Sequence, residues 1–265
     1  NNNIDLNKSW MIGDMTADIL AGKKAGLKTV LVQTGFAGTD NKYKVQPDFI
    51  FKDLNTSINW IINDYPNLIR NLNTISDKIL GQKFFFITGS SFSGKSSFAN
   101  TLKFYLKSKH INSYVISTDS FLKNRDLRAE DDIFSKYDFT LIKDFIRTIS
   151  LNKNIKFNLP MYNKLSGKKY NNIININHDD IIIFEGIFAY EIIKYIKSTS
   201  YINFFIERSK SQLKKLFFNK YSKLGYSFKN VNNLYNVRNR SEDQYIMNNK
   251  KYSNFIYNFE LNDFI

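Results

Sequence analysis

Residues 89–97 read GSSFSGKSS, which fits G-x-x-x-x-G-K-[ST] at every position, with Gly89 and Gly94 as its glycines. Those residue types at that spacing make a phosphate cradle. Glycines let the backbone curl, so that successive N–H groups across Ser90, Ser91, Ser93 and Gly94 point inward at a β-phosphate. A following helix adds the partial positive charge of its N-terminus around Lys95, Ser96 and Ser97. Lys95 supplies a mobile charge for the β- and γ-phosphates, and the Ser96 hydroxyl is placed to hold Mg²⁺. The flanking sequence agrees: KFFFIT reads as an apolar strand before the run, and SSFANTLKFYLKSK as a helix after it. A chance Gly/Ser-rich turn would lack that strand–loop–helix setting. The expected ligand is a nucleotide. A guanine-specific switch would carry Asn-Lys-x-Asp, and the chain has only NKYK, NKNI, NKLS and NKYS, so ATP with Mg²⁺ is the expectation.

Three downstream elements bear on what happens to the phosphate. SYVISTDSF ends a strand with Asp119, 24 residues after Lys95. At the C-terminal edge of a parallel sheet that carboxylate either takes a proton from an attacking hydroxyl or merely caps the turn. DDIIIFEGIFAY ends another buried strand with Glu185, a place for a carboxylate that orients Mg²⁺ through water or simply ends the strand. LPMYNKLSGKK places Pro160, Tyr162 and the cations Lys164, Lys168 and Lys169 on a loop that either contacts substrate or is solvated.

Together GSSFSGKSS, STDSF, LPMYN and IIIFEGIFAY resemble the uridine kinase and phosphoribulokinase family over roughly residues 83–245. The resemblance implies an ATP-dependent phosphotransferase acting on a hydroxyl of a small acceptor. By it Asp119 is the catalytic base, Tyr162 a wall of the acceptor pocket and Glu185 the metal-linked acid. Lys95 and Ser96 are the triphosphate and Mg²⁺ ligands, and Asp138 in KYDFT stands where the family often presents a further carboxylate. Two departures stand out. The family closes an Arg-rich lid where this chain has SKSQLKKLFFNKYSKLGYS, with Lys214, Lys215, Lys220 and Lys223 and no arginine between Arg208 and Arg238. Lysine cannot fork two phosphate oxygens as a guanidinium does, so Arg238 or Arg240 is the expected replacement. Asn163 also stands where an Asp often follows the tyrosine. Both changes leave the acceptor open between a nucleoside such as uridine and a sugar or sugar phosphate. A nucleotide-binding module without turnover is the alternative.

The first 65 residues are of another kind. SWMIGDMTADILAGKKAGLKTVLVQTG resembles the closing part of a HAD-type phosphatase, in the branch of histidinol-phosphate and heptose-bisphosphate phosphatases. Asp14 and Asp18 sit where that family reaches for Mg²⁺, and two carboxylates four apart on a loop entering a helix can share one hard cation. The covalent phosphatase mechanism also needs an Asp-x-Asp strand end, and none occurs in the 265 residues. The expectation is a phosphatase portion whose beginning lies upstream of Asn1.

These residues need elements to hold them. Strand and helix patterns alternate through both parts, the signature of parallel sheets covered by helices. The expected fold is α/β: a three-layer P-loop NTPase sheet over residues 79–265, preceded by a partial HAD-like Rossmannoid portion over 1–78. The boundary is drawn in NDYPNLIRNLNTISDKILGQK, polar and punctuated by Pro66 and Gly81. A second long helix is read near 231–247. Hydrophobic residues at 43% can build such cores, and the absence of cysteine excludes disulfides and thiolate metal sites. No apolar run is long enough for a membrane span, and a cytoplasmic location is expected. The net charge of +14 rests on 31 Lys against 7 Arg amid abundant Asn and Ile, with no basic stretch of nucleic-acid-binding type. Neither nucleic acid nor a membrane is expected as partner, and a homo-oligomer is left open.

Overall fold

Phe84–Thr88 is apolar or β-branched at every position, and such a run is stable only where both faces are covered. The computed structural model, which describes residues 4–128, 132–151, 153–162, 169–198, 200–238 and 242–265, puts this strand in the middle of a sheet. The chain divides into two compact units, Asn1–Arg70 and Asn71–Ile265.

The first unit holds β1 (Trp10–Gly13), α1 (Thr16–Lys24), β2 (Lys28–Val32), β3 (Phe49–Phe51) and α2 (Leu54–Asn59), its strands forming a parallel sheet in the order β1-β2-β3. Gly26, with φ +75°, ends α1 as the sequence implies.

The polar stretch in which the boundary is drawn is helical, in α3 (Tyr65–Thr74) and α4 (Ser76–Ile79). Pro66 lies inside a helical run rather than at its start, just after the π-helical turn Trp60–Asp64 in which the Tyr65 N–H donates to the Trp60 carbonyl. A local π turn is one way a helix accommodates a residue that breaks its hydrogen-bond ladder. Leu68, Leu72 and Ile79 are buried, so the apolar spacing outweighs the polar composition. Asn71 Nδ2 donates to the Asn262 carbonyl at 2.7 Å, and the division falls ahead of the boundary near residue 78 drawn from composition.

The second unit runs β4 (Phe84–Thr88), α5 (Lys95–Ser108), β5 (Ser113–Ser117), α6 (Phe139–Ile149), β6 (Ile155–Asn158), β7 (Met161–Tyr162), β8 (Lys169–Tyr170), β9 (Ile173–Ile176), β10 (Ile181–Glu185), α7 (Ala189–Ile193), β11 (Tyr201–Glu207), α8 (Lys210–Lys223), α9 (Phe228–Arg238), α10 (Gln244–Lys250), β12 (Phe255–Asn258) and β13 (Asp263–Phe264). The region read as one long helix near 231–247 contains α9 and α10, with residues 239–241 outside the description.

Its main sheet has the order β13-β12-β11-β4-β10-β5, parallel except for β13. Alternate residues face opposite layers. On one face Phe204 meets Phe98 of α5 at 5.0 Å between ring centroids. On the other, Phe86 stacks on Phe184 at 5.4 Å above a core that includes Phe145 and Phe188. This is the three-layer α/β/α arrangement expected.

Register matters most for function. Glu185 pairs with Ile87 of β4 on one side and Ser117 of β5 on the other, so three strands end level. Phe184→Ala removes a fully buried ring from that trio. It should cost about 3–5 kcal/mol, read as a lowered denaturant midpoint by circular dichroism; an unchanged midpoint would show that β10 does not hold the sheet.

Candidate functional site

The loop after β4 has a shape that only its glycines permit. Gly89 has φ +142°, and a Cβ there would lie 2.4 Å from the Ile206 carbonyl oxygen. Gly94 has φ +103°, and its Cβ would meet the Phe259 ring at 2.5 Å. Between them the Ser93 N–H donates to the Ser90 carbonyl at 3.1 Å and closes the curl. Gly94 caps α5 without a side-chain hydrogen bond, which leaves the first-turn amides without side-chain competition. Ser93 is fully buried and its hydroxyl finds no hydrogen-bond partner among the described residues. A buried polar atom of this kind fits a loop built around a ligand.

Lys95 opens α5 and is 8% exposed, with its Nζ donating to the Ser90 carbonyl at 2.7 Å. Ser96, next along, is exposed, and its Oγ donates to Glu185 Oε2 at 3.1 Å. The sequence places these groups 89 residues apart, and the level register of β4 and β10 brings them into contact. Glu185 is 6% exposed. A hydroxyl and a buried carboxylate at the mouth of the cradle are the oxygen donors that Mg²⁺ prefers beside phosphate. Gly186, with φ +140°, lets the chain after β10 approach the next strand end, where a Cβ would lie 1.9 Å from Thr118 Oγ1.

Asp119 sits on the 3₁₀ turn Thr118–Phe121 just past β5 and is half-buried. β5 lies two strands from β4, roughly 10 Å at ordinary strand spacing. That interval has room for a terminal phosphate and an attacking hydroxyl between cradle and carboxylate. The Asp119 charge, together with burial, holds the Tyr137 phenol well above its ordinary range, burial being the larger cause. Asp138 caps α6 by accepting from the Leu141 N–H at 3.0 Å, while its own N–H donates to Phe121 O at 2.8 Å. It therefore stands beside the Asp119 turn. Tyr162 lies on β7, paired with Lys169 on β8, and β7 packs against the Thr118–Phe121 turn. The structure thus gathers Asp119, Asp138, Tyr162 and Lys169 at one end of the sheet. Lys164, Lys168, Asn163 and Arg240 lie outside the described residues.

Sequence reasoning missed Arg128, whose guanidinium lies 4.7 Å from the Tyr162 ring centroid. No motif marks it. Also missed was a cavity beside the cradle, lined by Ser90, Ser91, Lys210, Arg238, Glu242 and Asp243 among others. Arg238, one of the cavity's lining residues, rests on the rings of Phe217 and Tyr221 at 5.8 and 5.4 Å. Burial raises the Asp243 carboxyl above its ordinary range, with Lys210 opposing and Glu242 adding, and its side chain hydrogen-bonds Ser90.

In the first unit Asp14 and Asp18 each accept one backbone hydrogen bond. Asp14 Oδ2 accepts from the Phe36 N–H at 2.7 Å, and Asp18 Oδ2 from the Met15 N–H at 3.1 Å in a capping box. Among the described residues no group of three or more His, Asp or Glu is arranged to hold a metal. Gly13 needs to be glycine because Asp18 fills the space of its Cβ.

The sequence profile of the phosphoribulokinase/uridine kinase family matches residues 84–260, about two thirds of the chain. The chain belongs to that family. Residues 1–57 match the HAD-hydrolase-like profile. The uridine kinase of Ureaplasma urealyticum is 30% identical over 109 residues, 39% of this chain and 52% of that protein. The D-glycero-D-manno-heptose-1,7-bisphosphate 7-phosphatase of Thermosynechococcus vestitus is 39% identical over 62 residues, 22% of this chain and 32% of that protein. The chain therefore spans about half and about a third of these curated relatives. In fold, a solved possible uridine kinase from Bacillus stearothermophilus superposes with TM-score 0.50 at 18% identity, covering 71% of this chain and 98% of that one. A protein named as a fructose transport system kinase, from Silicibacter sp. TM1040, gives 0.53 at 12% identity, covering 70% and 94%. Both show the P-loop kinase fold.

Gly94→Ala forces a Cβ into the Phe259 ring at a φ that side chains avoid. It should weaken Mg-ATP binding by at least about tenfold in titration calorimetry, since the amides that must converge on phosphate are displaced. Unchanged affinity would show that the loop is not the nucleotide site.

Proposed function

We propose that the protein is a kinase that uses ATP and Mg²⁺ to phosphorylate a hydroxyl of a small acceptor, either a nucleoside such as uridine or a sugar or sugar phosphate. The observation that carries this is the Ser96–Glu185 contact at the mouth of the Gly89–Ser97 cradle, with the Asp119 turn ending the strand next to Glu185. Backbone amides of the cradle and the Lys95 ammonium bind the triphosphate and hold it in line. Ser96 Oγ, and Glu185 through water, would hold Mg²⁺, which when bound neutralises charge on the phosphate oxygens. Asp119 accepts the proton from the acceptor hydroxyl as its oxygen attacks the γ-phosphorus. Tyr162 forms one wall of the acceptor pocket and Asp138 lies at its rim. Arg238, stacked on Phe217 and Tyr221, reaches the phosphates from the lid side in place of the missing lid arginines.

A second reading concerns the first unit alone, favoured by its match to the HAD-hydrolase-like profile. In it this portion contributes Asp14 and Asp18 to a phosphatase centre whose Asp-x-Asp is not in this sequence, giving a bifunctional protein. Binding of both carboxylates to backbone amides speaks for a scaffold role in the unit as it stands.

Asp119→Asn separates a kinase from a nucleotide-binding module. Turnover should fall by about 10²–10⁴, the usual contribution of a general base, while ATP affinity persists. ADP release that the substitution leaves unchanged would remove Asp119 from the chemistry. A wild-type protein releasing no ADP with any nucleoside or sugar would remove the kinase assignment itself.

A further inference from the structure

One residue of the cradle sits where the backbone disfavours it. Phe92, between Gly89 and Gly94, has φ +68°, a left-handed conformation that strains a bulky side chain and that glycine adopts freely. Strain of this kind persists only where surrounding contacts offset it. Here the ring makes those contacts. It packs edge-on against Phe217 of α8 at 5.9 Å, and the Lys220 ammonium lies 5.3 Å from its centroid. Among the described residues Phe217 is the one of α8 that is buried. Its ring contacts with Phe218, Tyr221 and Tyr235 stay within α8 and α9, whereas the one with Phe92 leads into the phosphate loop. Arg238 of α9 lies over Phe217 and Tyr221. The acidic residues that line its cavity have other partners: Glu242 pairs with Lys136 at 3.3 Å, and Asp243 faces Lys210 and Ser90. The two rings therefore set where the guanidinium stands.

Resting on the kinase reading, we infer that Phe92 is a positioning residue: through its ring the phosphate loop sets the helices α8 and α9, and so places the Arg238 guanidinium for phosphoryl transfer. The path of contact runs from Phe92 to Phe217 to Arg238, and both of its links are ring contacts. A guanidinium stacked on aromatic faces is held in fewer orientations than one on a free side chain, so less ordering remains to be done when phosphate arrives. Phe92 itself touches no reacting atom. It acts on the rate of transfer rather than on nucleotide binding, because the cradle amides and Lys95 form the binding site whether or not the helices are in place. Glycine at position 92 keeps the curl of the loop, since φ +68° is open to it, and removes the ring that joins loop to helices.

Phe92→Gly and Phe92→Tyr, compared with the wild-type protein, test this. Affinity for a non-hydrolysable ATP analogue with Mg²⁺ is read by calorimetry. Turnover is read as ADP release from ATP with uridine, ribose or ribose 5-phosphate as acceptor. Phe92→Gly should bind the analogue within about threefold of wild type while kcat falls by about tenfold or more. Phe92→Tyr, which keeps the ring, should retain both. Arg238→Gln should lower kcat in the wild-type background and change it by less than about twofold in Phe92→Gly, because the ring acts through that guanidinium. Circular dichroism establishes that each variant is folded. Equal losses of affinity and turnover in Phe92→Gly would assign the ring to the shape of the cradle alone and overturn the inference. So would an unmoved kcat, or losses from Phe92→Gly and Arg238→Gln that multiply. Each of these results leaves the kinase reading intact. A wild-type protein that binds the analogue and releases no ADP with any of these acceptors overturns the kinase reading, and with it the role of Phe92 in transfer.

Discussion

Everything at this site depends on three parallel strands ending at the same level. β10 lies between β4 and β5, and its last residue pairs with both neighbours. One sheet edge therefore presents a phosphate cradle, a buried carboxylate and the turn that carries Asp119. The contact between Ser96 and Glu185 is the local expression of that register. Because side chains alternate faces, a one-residue slip of β10 would turn Glu185 into a core layer and destroy the arrangement. Packing prevents the slip: Phe86 and Phe184 stack across the two strands, and Ile182, Phe184 and Phe86 are all fully or nearly fully buried. The hydrophobic sheet thus supplies the rigidity that a preorganised anion site needs.

The glycines translate that rigidity into shape. At Gly89, Gly94 and Gly186 the neighbouring atoms occupy the space of a Cβ, and each residue has a positive φ. Close approach is what lets backbone amides, rather than long side chains, face a ligand. The lid side is built differently. Phe92 of the loop packs edge-on against Phe217 of α8 at 5.9 Å, Lys220 lies over Phe92 and Lys214 over Phe218. Here lysines rest on aromatic faces, and Arg238 lines the same cavity from α9. Cation–aromatic contacts of this sort are worth about 0.5–1 kcal/mol each at exposed positions.

Some of this was legible in the sequence because the information is local. The cradle is one contiguous run, and the strands before Asp119 and Glu185 are apolar enough to identify by eye. Within SSFANTLKFYLKSK, Phe98, Leu102, Tyr105 and Leu106 recur at helical spacing, and all four are buried. What escaped was non-local or carried by weak signals. The strand order that brings Glu185 to Ser96 is not written in any window of sequence. Arg128 belongs to no motif, and only tertiary packing sets it on Tyr162. The polar composition of residues 63–83 hid apolar residues at helical spacing, and Pro66 read as a breaker although the helix runs through it after the π turn Trp60–Asp64. In the first unit, Asp14 and Asp18 have the spacing of a metal pair, and each accepts one backbone hydrogen bond on Oδ2 that the sequence does not reveal.

The most direct measurement is a crystal structure with Mg²⁺ and a non-hydrolysable ATP analogue. The account predicts the β-phosphate enclosed by the amides of residues 89–97, the metal on Ser96 Oγ with Glu185 behind it, and the Asp119 carboxylate facing the γ-phosphate across an open acceptor space. A nucleotide bound elsewhere, or an Asp119 side chain turned away from the γ-phosphate, would contradict it.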